Sequence, residues 1–383
     1  MPDRTAMIIG CGTMGAATAR LVHADVRFQH LILADRDLQR AERLAETLDG
    51  GQVTALQLDF RQDDQVARSL AGVSVVLNTT GPFSRDTLSL MRTVIEAGIP
   101  YADINDDVET LQSVFESEYL DSLAKHRGVG VLPGLGASPG QTNVLARHLA
   151  SRMDVVDEVR FFLVNDSTYR SEAVWRHRLA LFGMPALLYD GGRWTQSPGM
   201  SEYQDVAFPA PWGSIRCYTV GLETVTIPAS FGGLRHASLW RGFSDPATAE
   251  TLKTLIDAGF ASEQPLDVDG VPTAPAAMTA AVLAGVRMEG ESAAPGRLPR
   301  QVRVKGIREG RPAELTMTYS FPPGDVALAT ASCLVVGAGL LVDRELPGPG
   351  VFPPEALDPA PFMWDMESQG VHFKLEDSAS TRT

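Results

Sequence analysis

"IIGCGTMGAATARL", residues 8–21, places Gly10, Gly12 and Gly15 as G-x-G-x-x-G between an apolar run and a helical pattern. The spacing has a mechanical reason: the first glycine permits a tight turn, the second lets backbone approach a pyrophosphate, and the third lets helix pack on strand. The helix that follows points unpaired N–H groups and a partial positive charge at the phosphates. Gly10, Gly12, Thr13, Met14 and Gly15 are therefore expected to cradle a dinucleotide. The next apolar run ends in Asp35, where a carboxylate can accept from ribose hydroxyls, which favours NAD. Arg36 beside it can pair with a 2′-phosphate and keeps NADP possible. Cys11 lies at the helix N-terminus, where a thiol pKa tends to fall; packing within the loop is its plainer role.

Outward from this loop, the first 135 residues alternate short apolar runs with amphipathic stretches. Six strands are predicted, "AMIIG", "LILAD", "VTALQLD", "SVVLNTT", "YADI" and "VGVLPG". The helical pattern "DLQRAERLAETL" among them follows a capping Asp37. The fold class this implies is α/β, a Rossmann-type doubly wound parallel sheet. The fourth strand ends in "NTTGPF", and ligands of open parallel sheets gather at the strands' carboxyl ends, so Asn78, Thr79, Gly81 and Pro82 are expected to border the cofactor.

Beyond residue 143 the texture changes to "VDEVRFFLVN", then Pro/Gly/Trp-rich loops, two helical patterns, a polar linker "EGESAAPGRLPR" and a two-stranded element turning at Glu309-Gly310. The expected organisation is a dinucleotide-binding domain over 1–143, an α+β substrate and dimerisation domain over 144–325, and a C-terminal helix and tail over 326–383 returning to the first domain. The late hairpin offers an edge for a homodimer.

Composition narrows the partners. The net charge of −14 argues against nucleic acid. Twenty-nine of the 33 basic residues are Arg. Three scattered cysteines show no metal spacing and suggest a reducing, cytoplasmic setting; no metal is expected. The longest apolar run, "ATASCLVVGAGLLV" at 329–342, is short of a membrane span, so no membrane association is expected.

The order G-x-G-x-x-G, "NTTGPF", "AGIPYADI" and "PGLGASPGQTN" (133–143) resembles the saccharopine dehydrogenase family, and "GPGVFPPEALDPAPFMWDMESQGV" (348–371) is similar to that family's closing segment. Within it the chain looks most like the lysine 6-dehydrogenase branch, which "SLWRGFSDPATAETLKTLIDAGF" (238–260) also resembles. The resemblance implies NAD(P)-dependent hydride transfer at the CH–NH group of a small amino acid or amine, as oxidative deamination through an imine. An alternative from the same chemistry is reductive condensation of an amine with a carbonyl compound, of saccharopine or polyamine type; a non-catalytic dinucleotide-binding protein is a third reading.

Such chemistry needs a base near the nicotinamide. Tyr101 and Asp103 alternate on one strand and so share a face. Asp103 is expected as base or amine anchor with Tyr101 as its hydrogen-bonding partner; the bland alternative is packing for Tyr101 and a helix cap for Asp103. The elbow "PGLGASPGQTN" is expected to expose N–H groups to substrate through Gly136, Thr142 and Asn143, or else to be a helix start with Ser138 as cap and Pro139 at the first helical position. An α-amino acid's carboxylate suits a bidentate Arg, for which Arg241 is the choice.

Overall fold

Val75–Asn78 and Tyr101–Asp103 are buried along their whole length, polar tips included, so neither shows the alternation of a strand with one face in water. The computed structural model describes residues 3–48, 52–81, 83–167, 171–221, 223–286, 296–321 and 326–378. It forms two compact units, Met1–His148 with Asp325–Gly370, and Leu149–Gly324 with Val371–Thr383.

The first unit carries β1 (Thr5–Ile9), β2 (His30–Asp35), β3 (Gln52–Gln57), β4 (Val75–Asn78), β5 (Tyr101–Asp103) and β6 (Gly130–Leu132). They pair in parallel in the order β3-β2-β1-β4-β5-β6. This is the doubly wound order, whose switch point lies between β1 and β4. Helix α1 (Thr13–Ala24) leaves β1 through the glycine loop. The helix Leu38–Ala45 starts where the sequence places it, with the Asp37 carboxylate accepting from the Arg40 N–H.

Two later segments complete this unit. Gly350–Val351 adds a seventh parallel strand outside β6. The helix Val326–Val342 packs Leu334, Ala338 and Leu341 into one cluster with Ile8, Leu33, Leu132, Leu135 and Val144. Burial on nearly every side explains its unbroken apolar composition. No helix among the described residues is long and apolar enough to cross a membrane.

In the second unit, Val155–Asn165 lies mid-sheet, parallel to His236–Phe243 and antiparallel to Leu298–Arg308. Leu298–Arg308 and Arg311–Phe321 form a hairpin turned by Glu309 and Gly310, whose φ angles are +53° and +71°. Both signs are those of the two-residue turn that matches strand twist.

Three sequence expectations are revised here. Leu298, Pro299 and Arg300, read as the end of a polar linker, open a strand because Leu163 and Phe321 offer them partners on either side; residues 289–295 of that linker lie outside the described residues. The edge of Arg311–Phe321 expected to pair between subunits is occupied over Leu315–Thr318 by Lys374–Asp377. The segment read as one return over 326–383 is thereby divided between the units at Gly370/Val371.

Candidate active site

The glycine loop is built by close approach. A Cβ on Gly15 would lie 1.8 Å from the Gly10 carbonyl oxygen, so only glycine lets α1 seat against the end of β1. Gly12 is the opposite case: a Cβ there meets nothing within 4 Å. The loop thus leaves open room above its backbone at the position where a diphosphate approaches. Gly12 caps α1 without any side-chain hydrogen bond, and the first helical bond is Ala16 N–H to the Gly12 carbonyl. The N–H groups of the first turn keep their capacity for an anion. Gly12 and Thr13 are exposed and Met14 is half-buried.

Asp35 closes the loop from below. One carboxylate oxygen accepts from the Cys11 N–H at 2.8 Å and the other from the Asp37 N–H at 2.9 Å. Each oxygen retains a lone pair, so the group can brace the loop and still accept from a ribose. Arg36 is exposed. Cys11 is no activated thiol: burial, reinforced by the charge of Asp35, pushes it up to about 12. The packing role stands and the helix-terminus effect is overridden by desolvation.

The strand tips next to the loop form one buried hydrogen-bonded chain. Asn78 Nδ2 donates to the Tyr101 hydroxyl at 2.9 Å, and that hydroxyl donates to Asp103 Oδ2 at 2.9 Å. Asp103 Oδ1 accepts from the N–H groups of Asn105 and Gly134. Asn78 Oδ1 accepts from the backbone and hydroxyl of Thr80. Asn78, Tyr101 and Asp103 are each 0% exposed. Burial raises the Asp103 carboxyl to about 6 against the opposing hydrogen bonds, and burial also lifts the Tyr101 phenol well above its ordinary range. Sequence spacing puts these two on one face, and the structure does so, but in this conformation neither presents an atom to solvent. Asp103 is not a helix cap either; Asp107 caps the next helix. What the chain of contacts does is fasten β4, β5 and the start of the elbow to each other.

Among the expected cofactor neighbours, Thr79 donates its hydroxyl to the Gly10 carbonyl at 2.7 Å, Gly81 is exposed, and Pro82 lies outside the described residues. Asn78 turns inward instead of toward the crevice, because the Tyr101 hydroxyl and Thr80 take its amide.

The elbow is buried and internally bonded. Leu135 N–H donates to the Asp103 carbonyl, Gly136 N–H to the Pro139 carbonyl, and Gln141 N–H to the Gly136 carbonyl. Gly140 has φ +116°, and a Cβ on it would sit 2.2 Å from the Gly136 oxygen, so the bend requires glycine. The helix then spans Gln141–Ala150, two residues later than a Pro139 start would give. Asn143 accepts from the Gly140 N–H and donates to Glu355 Oε2 at 3.1 Å; Thr142 donates to the same Asn143 oxygen. Gly136, Thr142 and Asn143 are therefore brought together, but as parts of the bend. Glu355, 1% exposed, is the residue sequence reasoning missed as a site member. Its signal was the quoted "PPE", whose partner could not be found without the fold. Arg241 stands in the second unit on the strand His236–Phe243 and is 9% exposed. No group of His, Cys, Asp and Glu among the described residues is arranged to hold a metal.

A parallel sheet in doubly wound order, a G-x-G-x-x-G loop with open space above its middle glycine, and an acidic residue at the end of β2 define a dinucleotide-binding domain. Residues 6–129 match the family model of the saccharopine dehydrogenase NADP binding domain, which bears out the resemblance carried by the sequence motifs. Along the whole chain, the carboxyaminopropylagmatine dehydrogenase of Synechocystis sp. is 23% identical over 95% of this chain and 96% of that protein. The carboxynorspermidine synthase of Vibrio alginolyticus is 23% identical over 79% of this chain and 77% of its own. Among solved structures, the apo saccharopine dehydrogenase (L-Glu forming) of Saccharomyces cerevisiae superposes with a TM-score of 0.72 at 14% identity, covering 98% of this chain and 99% of that one. That likeness shows the shared fold.

Proposed function

We propose that the protein is an NAD(P)-dependent oxidoreductase of the CH–NH group that joins a carboxyl-bearing carbonyl compound to an amine by reductive condensation. The observation that carries this reading is the near end-to-end match to a carboxyaminopropylagmatine dehydrogenase, on a chain whose glycine loop is shaped for a dinucleotide. The balance is one aldehyde, one primary amine, one reduced nicotinamide and one proton giving a secondary amine, oxidised nicotinamide and water. The lysine 6-dehydrogenase branch read from the sequence becomes the second reading, since both reported relatives carry polyamine-type names.

The cofactor supplies or accepts the hydride when bound. The chain's own residues do the rest of the positioning. The first-turn N–H groups of α1 hold the diphosphate, and Asp35 accepts from the adenosine ribose, which disfavours a 2′-phosphate. Arg36 is placed beside it, on the exposed surface. The Asn78, Tyr101 and Asp103 chain keeps the tips of β4 and β5 and the bend at Gly134 in fixed register, so Tyr101 and Asp103 act as positioning residues. A homodimer belongs to the same proposal: Leu266, Val271, Met278 and Val282 leave apolar side chains exposed on the second unit. A monomer in light scattering at micromolar concentration would remove it.

The test is nicotinamide absorbance with purified protein, both cofactors, and two panels: amines (agmatine, diaminopropane, lysine) with carboxyl-bearing aldehydes or 2-oxo acids, and lysine alone with oxidised cofactor. Consumption of reduced cofactor only when amine and carbonyl are both present supports condensation. Reduction of NAD⁺ by lysine alone selects the second reading, and silence in both panels removes the enzyme.

A further inference from the structure

The peptide joining Gly10 to Cys11 is held at both of its edges by side chains. Ile9 is the last laddered residue of β1, and it pairs with Ala34 on one side and with Asn78 on the other. The next residue of each neighbour, Asp35 and Thr79, therefore stands beside Gly10. Up to this point backbone holds backbone: the Gly10 N–H donates to the Ala34 carbonyl at 2.8 Å, and the Thr79 N–H to the Ile9 carbonyl at 2.9 Å. Gly10 then turns to φ +99°, which takes the chain out of the ladder. The following peptide has left its strand partners although Cys11 is only 5% exposed, and a buried peptide group must be paired. Side chains take over: the Thr79 hydroxyl donates to the Gly10 carbonyl at 2.7 Å, and the Asp35 carboxylate accepts from the Cys11 N–H at 2.8 Å.

The surroundings of this peptide are closely packed. A Cβ on Gly15 would lie 1.8 Å from the Gly10 oxygen and 2.9 Å from Thr79 Oγ1, and a Cβ on Gly10 would lie 2.9 Å from the Thr80 nitrogen. The third glycine of the motif thus makes room for the carbonyl and for the hydroxyl bonded to it. Rotating the peptide would break both side-chain hydrogen bonds at once. The N–H groups that follow, in Gly12 and the first turn of α1, take their direction from this plane. Thr79 is 8% exposed, and its one hydroxyl proton goes to the loop's backbone.

We propose that Thr79 is a positioning residue for the cofactor's diphosphate. With Asp35 it fixes the plane of the Gly10–Cys11 peptide, so the loop beyond meets the diphosphate already in its binding orientation. A loop released from this clamp would have to be ordered by the ligand, at a cost in affinity. The role of the β4 tip thereby goes beyond bordering the cofactor to shaping its cradle, and it holds for whichever amine reaction the bound cofactor serves.

The experiment measures binding to the full-length protein, without turnover. The tighter of NADH and NADPH is titrated by fluorescence, and ADP-ribose, which lacks the nicotinamide, by calorimetry. Thr79→Val keeps the branched shape, removes the hydroxyl and is expected to weaken both ligands about tenfold. Thr79→Ser keeps the hydroxyl and is expected to stay within about twofold of wild type. Equal losses in the Val and Ser variants would make packing of the methyl group the cause, and a loss confined to the reduced cofactor would put Thr79 against the nicotinamide. Either overturns the proposal, as does wild-type affinity in Thr79→Val. In an Asp35→Ala background the peptide is already released at its other edge, so Thr79→Val should cost no more than about twofold there; a loss of about tenfold in both backgrounds refutes the joint clamp. Should Thr79→Val fail to fold, Thr79→Cys fills the same space with a weaker donor. A loss of about threefold or more relative to Thr79→Ser then supports the proposal, and a smaller one refutes it. A wild type that binds none of these ligands removes the cradle and the proposal with it. Where binding is intact but no condensation is seen, the reaction assigned above is wrong and the binding comparison still decides.

Discussion

Asp103→Asn isolates the energetic consequence of burying a carboxylate at a strand tip. Asp103 is fully buried and titrates near 6, against 3.8 for an ordinary aspartate. The folded chain therefore binds the proton more tightly than the unfolded chain. Stability from this group is greatest at low pH and is lost as pH rises through the window from 3.8 to 6. The full shift corresponds to roughly 3 kcal/mol. Because the unfolded group is already more than half ionised at pH 4, roughly 2 kcal/mol of that falls between about pH 4 and pH 8.

Asparagine removes the ionisation and keeps the acceptor for the Asn105 and Gly134 N–H groups. It forfeits the acceptor of the Tyr101 hydroxyl, at a pH-independent cost of about 1 kcal/mol. Amide exchange in β4 and β5 reads the opening of the first unit by itself. The stability of Asp103→Asn relative to wild type is expected to rise by roughly 2 kcal/mol across that range and to flatten above pH 7. Comparing the two proteins cancels every other carboxylate. A difference that stays constant from pH 4 to pH 8 refutes the assignment of a costly buried charge at this position.

Gly15→Ala would force a Cβ to within 1.8 Å of the Gly10 oxygen. Cofactor affinity by fluorescence titration should fall at least a hundredfold; retained affinity would mean the loop is not the cradle. Asp35→Ser removes the carboxylate proposed to accept from the ribose and to disfavour a 2′-phosphate, and also the acceptor of the Cys11 N–H. The ratio of NAD to NADP dissociation constants should move about tenfold or more toward NADP, and an unchanged ratio would place the ribose elsewhere. All three cysteines are buried, with Cys11 and Cys217 pushed up to about 12 by desolvation. A thiol reagent at pH 8 should therefore count none in the native protein and three after denaturation; one fast-reacting thiol would contradict the burial of the loop.

Local signals carried much of this molecule. The glycine spacing and strand-helix alternation announce the first sheet's order, Asp37 announces a helix start, and Glu309-Gly310 announces a hairpin, because each depends on neighbours a few residues away. Other features are set by distant partners. The Asn78, Tyr101 and Asp103 chain takes a further hydrogen bond from the Gly134 N–H at the next strand's exit, a partner that spacing along one strand does not disclose. Asn143 looks available in the sequence until Glu355, 212 residues on, takes its amide. Arg241 and Arg300 come to lie on either side of Leu163 only because Val155–Asn165 runs between their strands, a pairing that no periodicity along one strand discloses.

The strand Gly350–Val351 and the helix Val326–Val342 belong to the first unit although nearly all of the second precedes them in the chain. During synthesis, the ribosome delivers residues 1–148 long before the segments that cover Leu132, Leu135 and Val144 and pair the outer side of β6. The nascent lobe must wait with an apolar flank and an unpaired strand in solution while the second unit is translated. A stop codon shortly before residue 326 would release a chain with that wound open, a substrate for chaperones and proteases rather than a smaller enzyme.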